Sequence, residues 1–223
     1  SVTEILSPRA AEKSIEIASF KHVNPIPGGT RIGPLLVSSV IAARDPGEAT
    51  VPEDPEAQYA NLFHHIGQIL AGADVVQIFD TWAGSLPVDQ LERWVIDPTR
   101  RIVKAINARH PEVPIIGFPR AAGVHVPHYI DETGVDGIGV DAAMPIPELK
   151  ERIADLGVVL QGNLDPLLLV TGGAAMEARV HAILEEAEGA PFVFNLGHGI
   201  VPQTPPAHVA RLVEIVRKGR SAR

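Results

Sequence analysis

The chain has 223 residues, a formal net charge of −8 and no cysteine, and its residues are 45% hydrophobic and 21% charged. These values are typical of a globular protein long enough to bury one core, and the missing cysteines exclude disulfide bonds and cysteine-held metal clusters. The acidic balance disfavours nucleic-acid binding, because nucleic acids require a cationic face.

No apolar run approaches the length of about 20 residues that a membrane-spanning helix needs. The sequence also does not open on a charged and then apolar leader. We therefore expect a soluble, cytoplasmic protein with neither a membrane nor a nucleic acid as partner. The basic block at residues 217–220 is expected to offset the negative pole of a final helix.

The first 50 residues form a segment whose pattern differs from the rest of the chain. Here the pattern predicts a helix over residues 8–19, a loop over 22–29 and a strand over 35–43. From about residue 56 onward, helical periodicity alternates with short apolar runs. We therefore divide the chain into a divergent amino-terminal segment, residues 1–50, and a βα-repeat domain, residues 51–223.

Five βα units are predicted in this second part. The predicted strands lie at residues 75–79, 114–118, 135–140, 157–161 and from 192 onward. The predicted helices lie at residues 56–70, 88–107, 128–132, 147–156, 174–188 and 205–217. Apolar strands alternating with helices indicate a parallel sheet. The predicted fold is α/β, a TIM-like (β/α)8 barrel apparently incomplete at its amino-terminal end, since a complete barrel takes about 250 residues.

Polar side chains follow each predicted strand. They are Asp80 and Thr81, Arg120, Asp141, the segment 163–165 and the segment 195–198. Carboxyl ends of parallel strands meet at one edge, where α/β proteins build their sites. A functional mouth at this edge explains the pattern, and polar turns that cap helices are the alternative.

Five motifs at these strand ends carry a family resemblance. They read GADVVQIFDTWAG at residues 72–84, GFPR at 117–120, VDGIGVD at 135–141, LQGNLDP at 160–166 and NLGHGI at 195–200. In this order they resemble the uroporphyrinogen decarboxylase family, over roughly residues 55–218.

The resemblance implies a cofactor-independent carboxy-lyase of haem and tetrapyrrole biosynthesis, usually a homodimer with a TIM-like barrel. Such an enzyme converts the four acetate side chains of uroporphyrinogen to methyl groups and so produces coproporphyrinogen. It needs neither a metal nor another cofactor, because the pyrrole ring accepts electrons once its α-carbon is protonated. The implied partner is the tetrapyrrole substrate.

The resemblance also implies roles for three residues. Thr81 matches a small hydroxyl residue that hydrogen-bonds a substrate carboxylate, with helix capping as the alternative. Arg120 is expected to bind a propionate or acetate group, with a surface salt bridge as the alternative. His198 matches the family's substrate-contacting histidine and is our candidate catalytic residue, with a locally packed turn as the alternative.

Three aspartates are expected to support the site, and three motifs of the family have no counterpart in this sequence. Asp80, Asp141 and Asp165 are expected to cap helices or orient loops. The family's arginine run of RQAGR type, its FSD-type segment and its tyrosine-bearing segment are not recognisable in this sequence, and we assign no residue to their roles.

Two other functions remain as alternatives to the decarboxylase. One is a truncated, catalytically inactive barrel that acts as a binding or interaction domain. The other is a related methyltransferase that acts on thiols. Those relatives usually hold zinc through cysteine and histidine, so the lack of cysteine disfavours this alternative.

Overall fold

The computed structural model describes residues 30–32, 35–41, 65, 67–70 and 72–221. Its strands are β1 (Thr30–Ile32), β2 (Leu35–Ile41), β3 (Val75–Asp80), β4 (Ile115–Pro119), β5 (Gly137–Gly139), β6 (Val159–Leu164) and β7 (Phe192–Leu196). Its α-helices are α1 (Val88–Leu91), α2 (Asp97–Asn107), α3 (Val126–Thr133), α4 (Ile146–Arg152), α5 (Pro166–Thr171), α6 (Gly173–Glu186) and α7 (Pro206–Ser221).

The seven strands form one sheet in the order β1-β2-β3-β4-β5-β6-β7. Strand β1 runs antiparallel to β2, and every later neighbour pair is parallel. In a doubly wound sheet the strand order reverses at a switch point, whereas in a TIM-like barrel each strand pairs with the next strand in sequence. The observed order is therefore the barrel order, which confirms the predicted fold class.

The two faces of the sheet bury different side chains. Ile78, Ile115 and Leu160 belong to the apolar core shared with the helices, so this face lies under the helical layer. Because successive strand residues point to opposite faces, their neighbours line the inner face. There the rings of Phe79 and Phe118 meet edge to face, with centroids 5.6 Å apart. The inner face is thus partly aromatic.

The first helical connection contains a π-helical turn, Glu92–Ile96, between α1 and α2. Its wider hydrogen bond runs from the Asp97 N–H to the Glu92 carbonyl. Pro98 follows immediately and has no N–H to donate. A proline inside a continuous helix displaces the ordinary hydrogen bonds of the preceding turn, and a π-bulge is one way to accommodate it.

Most predicted elements agree with the structure within a few residues. The prediction over residues 157–161 was too short, because β6 continues through polar residues to Leu164. Helix α5 and strand β1 were not predicted. The strand predicted at residues 35–43 corresponds to β2, while the helix at 8–19 and the loop at 22–29 lie outside the described residues. Within the described part of the chain, no helix is long and apolar enough to cross a bilayer.

Candidate functional site

The candidate site is the edge of the sheet at which strands β3 to β7 end. All of these strands are parallel, so the loops that follow them emerge on the same side. These loops carry Thr81, Arg120 and His198. We call this edge, formed by residues 80–84, 119–122, 141–144, 163–165 and 195–199, the rim.

Thr81 and Arg120 lie next to each other on the rim. The backbone N–H of Arg120 donates to the carbonyl of Asp80 at 3.0 Å and extends the ladder between β3 and β4. The Arg120 Nη1 atom lies 3.5 Å from the carbonyl oxygen of Thr81. Both residues are half-buried. Their side chains therefore extend from neighbouring backbone segments that are hydrogen-bonded to each other.

The structure argues against the local alternatives for this pair. Helix α1 begins after Pro87, with no side chain capping its N-terminus, so the capping role of Thr81 is not found there. Among the residues that the structure describes, the ion pairs do not include Arg120. Thr81 therefore caps neither of the next two helical segments, and Arg120 takes part in no ion pair in the described part of the chain.

Arg120 occupies the corner of a tight turn, residues 119–122. The Ala122 N–H donates to the Pro119 carbonyl at 3.2 Å, and Ala121 has a φ of 59°. A positive φ at the third residue alone is the geometry of a type II turn. Glycine normally takes this place, because the left-handed region costs other residues about 1–2 kcal/mol.

Two hydrogen bonds from other loops hold the strained turn. The Gly84 N–H donates to the Arg120 carbonyl at 2.9 Å, and the Ala121 N–H donates to Asp141 Oδ2 at 2.9 Å. A neutral bond contributes about 0.5–1.5 kcal/mol and a bond to a charged group about 1.5–3 kcal/mol. The two hydrogen bonds together contribute more free energy than the left-handed conformation of Ala121 costs. The neutral bond alone would contribute only about as much as that cost.

Asp141 is itself held by its neighbours. Its Oδ1 accepts from the Ala143 N–H at 2.9 Å, and its carbonyl accepts from Asn163 Nδ2 at 3.2 Å. The same Asn163 amide donates to the Met144 carbonyl at 2.7 Å. Asn163 is only 2% exposed. The rim therefore has continuous support from β6 through the β5 loop to the Arg120 turn.

The three aspartates behave as predicted. Asp80 Oδ1 accepts from the Trp82 N–H at 3.0 Å and orients the loop after β3. Asp165 Oδ1 accepts from the Leu167 N–H at 2.9 Å and caps helix α5. With Asp141 in its loop-holding role, the expectation that these carboxylates cap helices or orient loops is confirmed.

His198 extends from the loop after β7. The preceding Gly197 donates its N–H to the Leu164 carbonyl at 2.8 Å and packs so closely on the β5 loop that a Cβ there would lie 2.3 Å from the Ala142 nitrogen. The exposed His198 ring accepts the Gly199 N–H on Nδ1, at 2.6 Å. An accepting Nδ1 places the proton of a neutral ring on Nε2.

The β5 loop connects the two parts of the rim. Asp141 bonds the Arg120 turn, and the next residue, Ala142, touches the His198 turn. Thr81 and Arg120 are thus in contact, and His198 lies further along the same edge.

Three side chains of the rim can donate hydrogen bonds to an anion. A threonine hydroxyl, a guanidinium and an imidazole N–H all donate hydrogen bonds, and guanidinium groups bind carboxylates strongly. The rim aspartates already accept backbone N–H groups. In the described part of the chain, no group of three or more histidine, aspartate or glutamate side chains is arranged to hold a metal ion.

Sequence comparison places the chain in a family. The sequence model for uroporphyrinogen decarboxylase (URO-D) matches residues 60–219. The chain belongs to the uroporphyrinogen decarboxylase family. This confirms the predicted family and agrees with the predicted range.

Curated members of the uroporphyrinogen decarboxylase family support the match at high identity. A protein of Rhodospirillum rubrum named uroporphyrinogen decarboxylase is 54% identical over 155 residues, which are 70% of this chain and 44% of that protein. One of Granulibacter bethesdensis with the same name is 48% identical over 158 residues, 71% of this chain and 46% of that protein. The chain therefore spans less than half the length of these curated relatives.

Solved structures resemble this family member in fold alone. A methyltransferase from Methanosarcina mazei has a TM-score of 0.57 at 23% identity, covering 73% of this chain and 47% of that one. A dihydropteroate synthase from Xanthomonas albilineans has a TM-score of 0.56 at 18% identity, covering 83% of this chain and 67% of that one. Both likenesses support the TIM-like fold.

The supports of the rim were missed by sequence reasoning. Gly84 and Asn163 lie inside the family motifs, but no pattern in the sequence indicates their contacts. Gly84 packs against Ala121, and the Asn163 side chain donates hydrogen bonds to the loop after β5. The positive φ of Ala121 has no signal at all, because alanine normally avoids that region.

Proposed function

We propose that this chain contributes to the decarboxylation of uroporphyrinogen, the reaction for which its relatives are named. The observation that carries the proposal is the family match over residues 60–219. The donor character of the rim supports it, because the substrate has eight carboxylates. The reaction would convert four acetate side chains to methyl groups and release four molecules of CO2.

The chemistry places few demands on the protein beyond binding and proton supply. Protonation of a pyrrole α-carbon makes the ring an electron sink, so that the C–C bond to the carboxylate breaks and its electron pair enters the ring. Protonation of the resulting methylene carbon gives the methyl group, and loss of the α-proton restores the ring. Each cycle consumes one proton and releases one CO2, without a cofactor.

Within this proposal the rim residues bind and orient carboxylates. The Arg120 guanidinium pairs with a propionate or acetate, and the Thr81 hydroxyl donates to a neighbouring carboxylate oxygen. His198 is the proposed catalytic residue, because its Nε2–H can donate to a substrate carboxylate. Since the chain has a net charge of −8, these short-range donors must overcome an unfavourable long-range field.

An anaerobic turnover assay tests this function. The purified chain is incubated with uroporphyrinogen, and products with fewer carboxylates are separated by chromatography. We expect turnover that falls at least about tenfold in His198→Ala, because the loss of one hydrogen bond to a charged group costs about 1.5–3 kcal/mol. His181→Ala is the matched control, because His181 is exposed on α6 away from the rim.

Two outcomes would contradict the proposal. Equal turnover in wild type and His198→Ala would remove the histidine from the mechanism. Absence of turnover in a cooperatively folded wild-type chain would instead favour the inactive binding domain.

Haem biosynthesis as the pathway and a homodimer as the assembly are part of the same proposal, supported by the family resemblance. The cytoplasmic location stays an expectation from the sequence.

A further inference from the structure

The peptide bond between Arg120 and Ala121 is the central peptide of the turn 119–122, and β-turns occur with this peptide in either of two orientations. Type I and type II turns differ mainly by a rotation of this central peptide through about 180°. In the observed type II form, its carbonyl faces Gly84 and its N–H faces Asp141. Rotation to type I would break both hydrogen bonds together.

The turn's own sequence favours the other orientation. A non-glycine residue at the third position of a turn prefers a negative φ, which belongs to type I. The observed φ of 59° at Ala121 is therefore imposed by contacts from outside the turn. Strained residues persist only where the surrounding structure determines their conformation.

The orientation matters because it joins the loop after β3 to the turn after β4. The bond from the Gly84 N–H to the Arg120 carbonyl closes the segment 81–84 onto the turn. Contact is so close that a Cβ on Gly84 would lie 2.0 Å from the Ala121 carbonyl oxygen. Thr81 begins this segment, so its place beside Arg120 depends on the same peptide.

We propose that Asp141 is a positioning residue for the carboxylate-binding pair Thr81 and Arg120. Its carboxylate holds the 120–121 peptide in the type II orientation, which keeps the segment 81–84 docked and the hydroxyl and guanidinium side by side. Asp141 touches no ligand in this role. The inference rests on the proposed function, because that function supplies the carboxylate-rich ligand.

Binding of uroporphyrin, the fluorescent oxidised counterpart of the proposed substrate, tests the inference. We expect Asp141→Ala to weaken binding by about tenfold, as the loss of one charge-assisted hydrogen bond would. Adding Ala121→Gly to this variant is expected to restore most of the affinity, since glycine adopts a positive φ without strain. In an Arg120→Ala background, Asp141→Ala is expected to have a smaller further effect, because only the contribution of Thr81 is then left to lose.

A general loss of stability would give a different pattern. Asp136→Ala is the matched control, because Asp136 also accepts a hydrogen bond from a backbone N–H, that of Ile115 at 2.9 Å, but at the opposite edge of the sheet from the rim. It is expected to lower the melting temperature without changing uroporphyrin affinity. Equal weakening by Asp141→Ala in the presence and absence of Arg120, or no rescue by Ala121→Gly, would overturn the positioning role.

Crystal structures separate this inference from the proposed function. We expect a rotated 120–121 peptide in Asp141→Ala and the type II orientation again in Asp141→Ala with Ala121→Gly. An unchanged peptide in Asp141→Ala would overturn the inference whether or not uroporphyrin binds. A wild-type chain that does not bind uroporphyrin would contradict the proposed function, while these structures would still decide whether Asp141 sets the peptide.

Discussion

Contact between two loop backbones limits which residues the rim accepts. At Gly84, a Cβ would lie within 2.6 Å of three Ala121 atoms, two of them in the backbone. Backbone atoms cannot turn away as a flexible side chain can, so the loops would have to separate. Glycine is therefore required at position 84 for space and not for an unusual φ.

Gly84→Ala is expected to destabilise the protein by about 1–3 kcal/mol, the usual range for overpacking at a tight contact. Urea denaturation measures the change. Gly67→Ala is the control, because a Cβ at Gly67 meets nothing within 4 Å and alanine is the better helix former. Equal stability of the Gly84 and Gly67 variants would contradict the close contact.

For single residues, the sequence predicted which side chains lie at the rim but did not predict the contacts that hold them there. Thr81, Arg120 and His198 could be placed at one edge because each directly follows a strand or its turn. The bond between Ala121 and Asp141 joins residues 20 apart in sequence and depends on how two loops pack. No local pattern reports such a contact.

A network around Arg100 joins the first helical connection to α3. The guanidinium donates to Glu92 Oε1 at 2.9 Å and to Glu132 Oε2 at 2.6 Å, and it also pairs with Asp97. His128 on α3 lies 3.0 Å from the other Glu92 oxygen. Three carboxylates thus share one permanent cation between elements that pack together.

The network predicts a dependence of stability on pH. Burial would raise the pKa of Glu92, but hydrogen bonds from Arg100 and His128 outweigh it and hold the pKa below its usual 4.5. A carboxyl whose pKa is lower in the folded state stabilises the protein above its unfolded pKa, and this contribution is lost as the pH falls through the folded pKa. Acidification below about pH 4.5 should therefore destabilise the wild type.

Glu92→Gln is expected to remove this part of the acid sensitivity. Urea denaturation at about pH 6 and about pH 3.5 measures it, and the wild type should lose more stability between the two than the variant. Glu151→Gln, an exposed position on α4, is the control. A loss in Glu92→Gln as large as in the wild type would show that the network does not carry the effect.

Periodicity predicted the longer elements, and its misses have a physical reason. Helix α2 buries Thr99, Ile102, Val103 and Ile106, a spacing that identifies a helix directly. Helix α5 has six residues in an apolar run, too few to show a period. Strand β1 has three residues, which is too short for an alternating pattern.

The order of the strands in the sheet explains how the family motifs, each at the end of one strand, come to lie next to each other on one surface. Because each strand pairs with the next along β2 to β7, successive motifs meet along the rim in sequence order.

A homodimer is the assembly expected from the family resemblance. Light scattering at micromolar concentration is expected to give twice the mass of one chain, and a clean monomer of 23.8 kDa would contradict it.

We propose that the carboxyl edge of the sheet binds a tetrapyrrole by donating hydrogen bonds to the carboxylates of the tetrapyrrole. A crystal structure of the chain with bound uroporphyrin tests this most directly. We predict substrate-type carboxylates within hydrogen-bond distance of the Arg120 guanidinium, the Thr81 hydroxyl and the His198 imidazole. A tetrapyrrole bound at the opposite edge or against the outer helices, with these three side chains uninvolved, would contradict the claim.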